Sequence, residues 1–119
     1  MLRVSLASQE FESPYADFSS RLRQIPSSLF NTTRIAILLE IYCAGAVDFV
    51  QLKIDQNLTD GSIAAHVKFL EHEGLITVVK KKTEGSRQRT GYLITPKGIE
   101  EMEKLLADFA QAAKAIPNE

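Results

Sequence analysis

Between Leu58 and Thr95 the pattern of apolar residues changes period once, and that change constrains the fold more than any other feature of the 119-residue chain. In LTDGSIAAHVKFLEHEGLI, which begins at Leu58, the residues Ile63, Val67 and Leu70 recur at the three- and four-residue steps of one helical stripe. Thr59 stands at the N-cap, Gly74 stops the helix, and Leu75 turns back towards the core. Two β-type runs follow, ITVVKKK and RTGYLIT, joined by TEGSRQ with Gly85 at the turn. The chain must therefore pack a helix that leads directly into a hairpin.

Local signals place four more helices. Ser13-Pro14 is a cap followed by proline at the first helical position, and Tyr15, Phe18, Leu22 and Ile25 follow at steps of three and four, with Phe11 four residues earlier. Ile25-Pro26 ends this helix, because a residue before proline is driven out of the α region, so a helix is predicted over 11–25. Asn31 or Thr32 caps TTRIAILLEIYCAG. In that helix Ile35, Ile37, Leu38, Leu39, Ile41 and Tyr42 leave little polar face beyond Arg34 and Glu40, which predicts a central helix closed by Gly45, with Cys43 a small buried hydrophobe. Asp48 with Gln51 three residues on is a capping-box arrangement opening the short helix DFVQLKI, whose inner face carries Phe49 and Leu52. Asn57 suits a left-handed turn. Thr95-Pro96 opens a last helix, 96–116, carrying Ile99, Met102, Leu106, Phe109, Ala113 and Ile116.

Helix, short helix, turn, helix, hairpin is the order of a winged helix-turn-helix. The expected class is mainly α with a small β-hairpin wing: one compact domain over 1–119, with a body over 31–95 and helical arms at both ends. At LTDGSIAAHVKFLEHEGLI and KKKTEGSRQRTGYLITPKG the chain resembles the winged-helix transcriptional regulators of the MarR and ArsR type, over roughly Asn31 to Gly98. The resemblance implies a double-stranded DNA partner, with a recognition helix over 59–73 in the major groove and a basic wing over 80–89 on phosphates or the minor groove.

The residues offer their own reasons. A helix in the major groove brings its backbone near base edges, and Gly61, Ser62 and Ala65 on the outer face remove bulk that would hold it off. Thr59, Ser62 and His66 can hydrogen-bond, Phe69 can meet a thymine methyl, and Lys68 can meet a phosphate. The bland alternative is that the glycine and alanines pack against another helix of the same protein. Ile76 to Gly91 holds five basic residues against Glu84, a net +4, although the whole chain is −1. Arg87 is ranked first for DNA contact, then Arg89 and Lys82; a charge run also serves simply as a solvated strand edge.

The alternating three-and-four spacing of both terminal helices is that of a seam buried against another helix. Phe11, Tyr15, Phe18, Leu22 and Ile25, with Ile99, Met102, Leu106, Phe109, Ala113 and Ile116, are expected to pack on each other and across the two-fold axis of a homodimer.

Other chemistry finds little support. His66 and His72 are six residues apart, about 240° around a helix, and cannot share one ion. No catalytic triad or phosphate-binding glycine loop can be assembled, so neither an enzyme, a metal nor a cofactor is expected. No apolar run approaches a membrane span and no signal-peptide core precedes the body, so the expected location is cytoplasmic. Two further readings stay open: a winged helix serving as a protein-interaction module of the transcription machinery, and a small-molecule effector bound between arms and body.

Overall fold

The computed structural model describes residues 16–25, 29–82, 85 and 87–115. Helix α1 (Ala16–Arg21) leads into a 3-10 turn, Leu22–Gln24, and α2 (Thr32–Ala44) follows. Strand β1 (Ala46–Asp48), α3 (Phe49–Gln56), α4 (Asp60–His72), β2 (Ile76–Lys82), β3 (Gln88–Ile94) and α5 (Pro96–Ala115) complete the order.

The boundaries are set by side chains close in sequence. Asn31 accepts the Arg34 N–H at 3.0 Å, Asp48 accepts the Gln51 N–H at 2.7 Å, and Thr59 accepts the Ser62 N–H at 3.1 Å. Each bond satisfies one donor that a helix start leaves orphaned. Gln51 does not reach back to complete a capping box; its side chain donates instead to Asp55 at 2.7 Å. Asn57 adopts φ 52°, ψ 53°, and this left-handed residue lets α3 and α4 meet as a helix-turn-helix.

Three features depart from expectation. The described part of the first helix turns 3-10 after Arg21, short of the predicted end at 25, while Ile25 is extended ahead of Pro26 as the proline requires. Phe11, the Ser13-Pro14 start and Tyr15 lie outside the described residues, as does Ile116. β1 has no counterpart in the sequence reading: it pairs antiparallel with β3, Val47 opposite Tyr92, making a three-stranded sheet of order β1-β3-β2. Cys43 is exposed, not buried. Ile37, Leu38 and Ile41 turn one side of α2 inward, whereas Leu39, 37% exposed, and Cys43 four residues on share the opposite side.

The core gathers one stripe from each element: Ile37, Leu38 and Ile41 of α2, Leu52 of α3, Ile63, Val67 and Leu70 of α4, Val47 and Tyr92 of the sheet, and Met102 of α5. Among the described residues no buried side-chain polar atom lacks a hydrogen-bond partner. The α4–α5 junction is close-packed. Thr95 donates to the Gly74 carbonyl at 2.7 Å and accepts the Gly98 N–H at 3.0 Å, and a Cβ at Gly98 would collide with the Leu75 carbonyl. The molecule is elongated, 74 × 25 × 22 Å, with a radius of gyration of 19.3 Å.

Candidate nucleic-acid interface

Helix α4 presents two different faces. Ile63, Val67 and Leu70 bury one. On the other, Gly61, Ala64, Ala65, Lys68 and His72 are exposed. A Cβ built on Gly61 meets nothing within 4 Å. Among the described residues, then, no part of the chain packs closely enough on Gly61 to require glycine there. The small-residue face opens outwards.

The flank of α4 that faces α2 is occupied. Ser62, His66 and Phe69 are all partly buried there. The Arg34 guanidinium lies over the Phe69 ring, 3.9 Å from its centroid, and Arg34 Nε donates to His66 Nδ1 at 3.3 Å. Burial, and then the Arg34 charge, hold the His66 pKa below its ordinary 6.5, so the imidazole is neutral at pH 7. Phe69, expected to meet a thymine methyl, packs against the core and supports Arg34. In the sequence Arg34 belongs to the sparse polar face of this helix. In fact it continues the inward stripe of Ile37, Leu38 and Ile41 at i, i+3, i+4 and i+7, and that spacing was the available signal.

The hairpin follows α4 in the chain, and its strand β2 packs against that helix. Lys80, Lys81, Lys82, Arg87 and Arg89 are exposed, and β2 pairs with β3 through Lys80↔Thr90, Lys81↔Arg89 and Lys82↔Gln88. Arg89 is ion-paired with Asp48, the residue that caps α3. The Gln51 N–H, and then Arg89, hold the Asp48 carboxyl below its ordinary 3.8. Arg89 therefore ties the tip-ward part of the hairpin, where it stands opposite Lys81, to the helix-turn-helix. Thr83, Glu84 and Ser86 of the tip lie outside the described residues.

The arms meet within one chain. The Phe18 and Phe109 rings pack edge to face at 5.2 Å, and Arg21 grips Asp108 at 3.1 Å. Met102, expected in the seam, is 4% exposed and belongs to the chain's own core. Leu22 and Ile25 line a cleft of about 650 Å³ between the N-terminal arm, α2 and α5, with Leu29, Leu38 and Leu105 on its walls and Lys97 and Glu101 among its charged groups. Ile99, Leu106 and Phe109 remain 37%, 41% and 46% exposed, and Ala113 is also exposed. Among the described residues no three His, Cys, Asp or Glu side chains gather as a metal site, and no helix is long and apolar enough to cross a membrane.

Comparisons with known proteins bear on this surface. The winged helix DNA-binding domain family matches residues 33–112. A protein of Methanocaldococcus jannaschii is 34% identical over 89 residues, covering 74% of this chain and 96% of its own. The structure of a transcriptional regulator homologue from Pyrococcus horikoshii OT3 superposes with a TM-score of 0.70 at 24% identity, over 82% of this chain and 95% of that one. The DNA-bound, overoxidized form of the Staphylococcus epidermidis protein AbfR superposes with a TM-score of 0.62 at 17% identity, over 88% of this chain and 72% of that one. At these identities the superpositions show a shared fold.

Proposed function

This chain belongs to the winged helix DNA-binding domain family, and on that premise we propose that it is a homodimeric transcriptional regulator that binds specific double-stranded DNA. The observation that carries the reading is the open outer face of α4, where among the described residues a Cβ on Gly61 meets no neighbour and Ala64 and Ala65 are exposed, in a chain whose hairpin also exposes a basic run. In this reading α4 enters the major groove by that face. Ser62 and Thr59 approach base edges or phosphates at its N-terminus, Lys68 meets a phosphate, and Lys82 and Arg87 carry the wing to the backbone or minor groove. Arg89 contributes from a side chain already held by Asp48. Phe69 contributes indirectly, by holding Arg34.

A dimer gives this surface its second half. Two recognition helices about 34 Å apart would read a roughly palindromic site. Its seam is proposed to use Phe18, Ile99, Leu106, Phe109 and Ala113, with Phe11, Tyr15 and Ile116 continuing the same spacing. The whole chain is read as one domain.

The cleft favours an added layer of control. Its volume is in the range of small-ligand sites, and its walls are mainly apolar with a few charged groups, the usual lining of such a site. We propose that a small-molecule effector bound there alters the set of the arms and so the spacing of the recognition helices.

The test is retention of random genomic fragments at two salt concentrations, followed by sequencing. The expected result is an enriched palindromic motif. Changing Lys82 and Arg87 to alanine should flatten the log-log salt dependence by about 0.9 per lost phosphate contact. Binding without enrichment, or with an unchanged slope, would favour a protein-interaction module whose lysines only solubilise the strand edge.

A further inference from the structure

The contact between α2 and α4 specifies more than packing. Arg34 occupies the inward stripe of α2, one turn before Ile37 and Leu38, and reaches the flank of α4 with its guanidinium face on Phe69 and its Nε–H on His66 Nδ1. Phe69 is itself packed against the core, so the platform under Arg34 is fixed. An arginine held by a ring on one side and aimed along one N–H bond leaves little choice to the histidine that accepts it.

A neutral imidazole has one protonated and one bare nitrogen. Nδ1 accepts from Arg34, so it is the bare one, and the proton resides on Nε2. We propose that Arg34 is a positioning residue for DNA recognition. It fixes His66 as the Nε2–H tautomer, so that His66 offers a DNA acceptor a hydrogen-bond donor and never an acceptor. The inference rests on the DNA-binding reading and deepens it. His66 then selects an acceptor, either the N7 or O6 of guanine, the N7 of adenine or the O4 of thymine, or else a phosphate oxygen. It cannot accept from the amino groups of adenine or cytosine. The bases that His66 faces are thus restricted by a residue on a different helix, 32 positions away.

Two readouts test this in the intact chain. Nitrogen-15 spectra of the His66 side chain, recorded without DNA at pH 7.5, should show a bare Nδ1 and a protonated Nε2, and Arg34→Met should move the pair towards the tautomer mixture of a free histidine. Spectra in which wild-type His66 carries its proton on Nδ1, or that do not change in Arg34→Met, would overturn the proposal.

The second readout is a double-mutant cycle on the enriched sequence. His66→Ala and Arg34→Met should each weaken binding about three- to tenfold, the usual worth of one neutral hydrogen bond. Their combination should be no weaker than the worse single variant, because both remove the same interaction. His66→Gln, which keeps a donor, should bind more tightly than His66→Ala. Losses that multiply would overturn the link between the two residues. Sequencing of retained fragments separates the two acceptors: relaxed preference at particular positions identifies a base, and uniform weakening identifies a phosphate. Thermal melts exclude unfolding of Arg34→Met. Should wild-type protein retain no DNA at low salt, the DNA-binding reading falls and His66 has no acceptor there. Should wild type bind and the losses multiply, only the Arg34 link falls.

Discussion

The helix-turn-helix body and the terminal helices are built from similar apolar spacings but end in different states. In the body, each of the three helices turns one apolar stripe into the chain's own core, where Ile37, Leu38, Ile41, Leu52, Ile63 and Leu70 are each no more than 1% exposed, although Val50 and Ile54 on the outer side of α3 stay exposed. In the arms, α1 has no buried residue, and α5 keeps Ile99, Leu106 and Phe109 between 37% and 46% exposed while Met102 alone among its large apolar residues is buried. Equal periodicity thus marks two situations, a core that one chain completes and a seam that it leaves half-covered. The difference is the reason a second copy is proposed for the arms.

The contrast breaks most sharply by truncation. Leu70→Ala removes a fully buried side chain of α4 and should cost about 2–5 kcal/mol of folding stability, measured by denaturant unfolding. Leu106→Ala, made at low protein concentration where a dimer is dissociated, should cost under about 1 kcal/mol, because the side chain is already 41% exposed. Equal losses would mean that α5 is as much part of the single-chain core as α4.

Phe109→Glu sharpens the same comparison from the other side. In the proposed dimer the charge lies in an apolar seam, and association should weaken at least about tenfold, or 1.4 kcal/mol, as read by sedimentation equilibrium. A dimer of unchanged affinity would place the interface elsewhere, and a wild-type monomer would remove the proposed arrangement.

Asp48 links body and wing, and its effect should be smaller. Asp48→Ala removes both the cap of α3 and the partner of Arg89, and should cost about 1 kcal/mol, with the cap the main part. The sign with pH follows from a carboxyl held below its ordinary 3.8. The stabilisation is complete above that value and is lost as pH falls through the lowered folded value. Acid unfolding of Asp48→Ala should therefore lack this part of the decline, which comparison of melts at pH 5 and pH 3 can check.

What the sequence made legible follows from how local each cause is. Asn31, Asp48, Thr59 and Thr95 cap their helices through bonds spanning three residues, so type and spacing sufficed. β1 was missed because three residues carry no period, and its identity comes from pairing with β3 some 45 positions later. Cys43 was misjudged because a helix rich in apolar residues does not say which side faces inward. The Arg34 contacts with His66 and Phe69, and the Arg89 pairing with Asp48, arise from tertiary juxtaposition. The outer face of α4 could be read from helical geometry alone, since Gly61, Ala65 and Lys68 fall opposite Ile63, Val67 and Leu70. The sequence could not decide what that face meets within the chain.

That face carries the central claim, and Ala65→Leu probes it most directly. Leucine is a good helix former and Ala65 is exposed, so folding stability should stay within about 0.5 kcal/mol of wild type. Preference for the enriched sequence over random DNA should collapse, while weak, salt-sensitive binding through the wing persists, because phosphate contacts do not require insertion of α4 into the groove. The measurement is the ratio of specific to random affinity in Ala65→Leu, taken beside its thermal melt. A folded variant that has lost the ratio is the expected result. A variant that keeps the wild-type ratio would contradict the entry of this face into DNA.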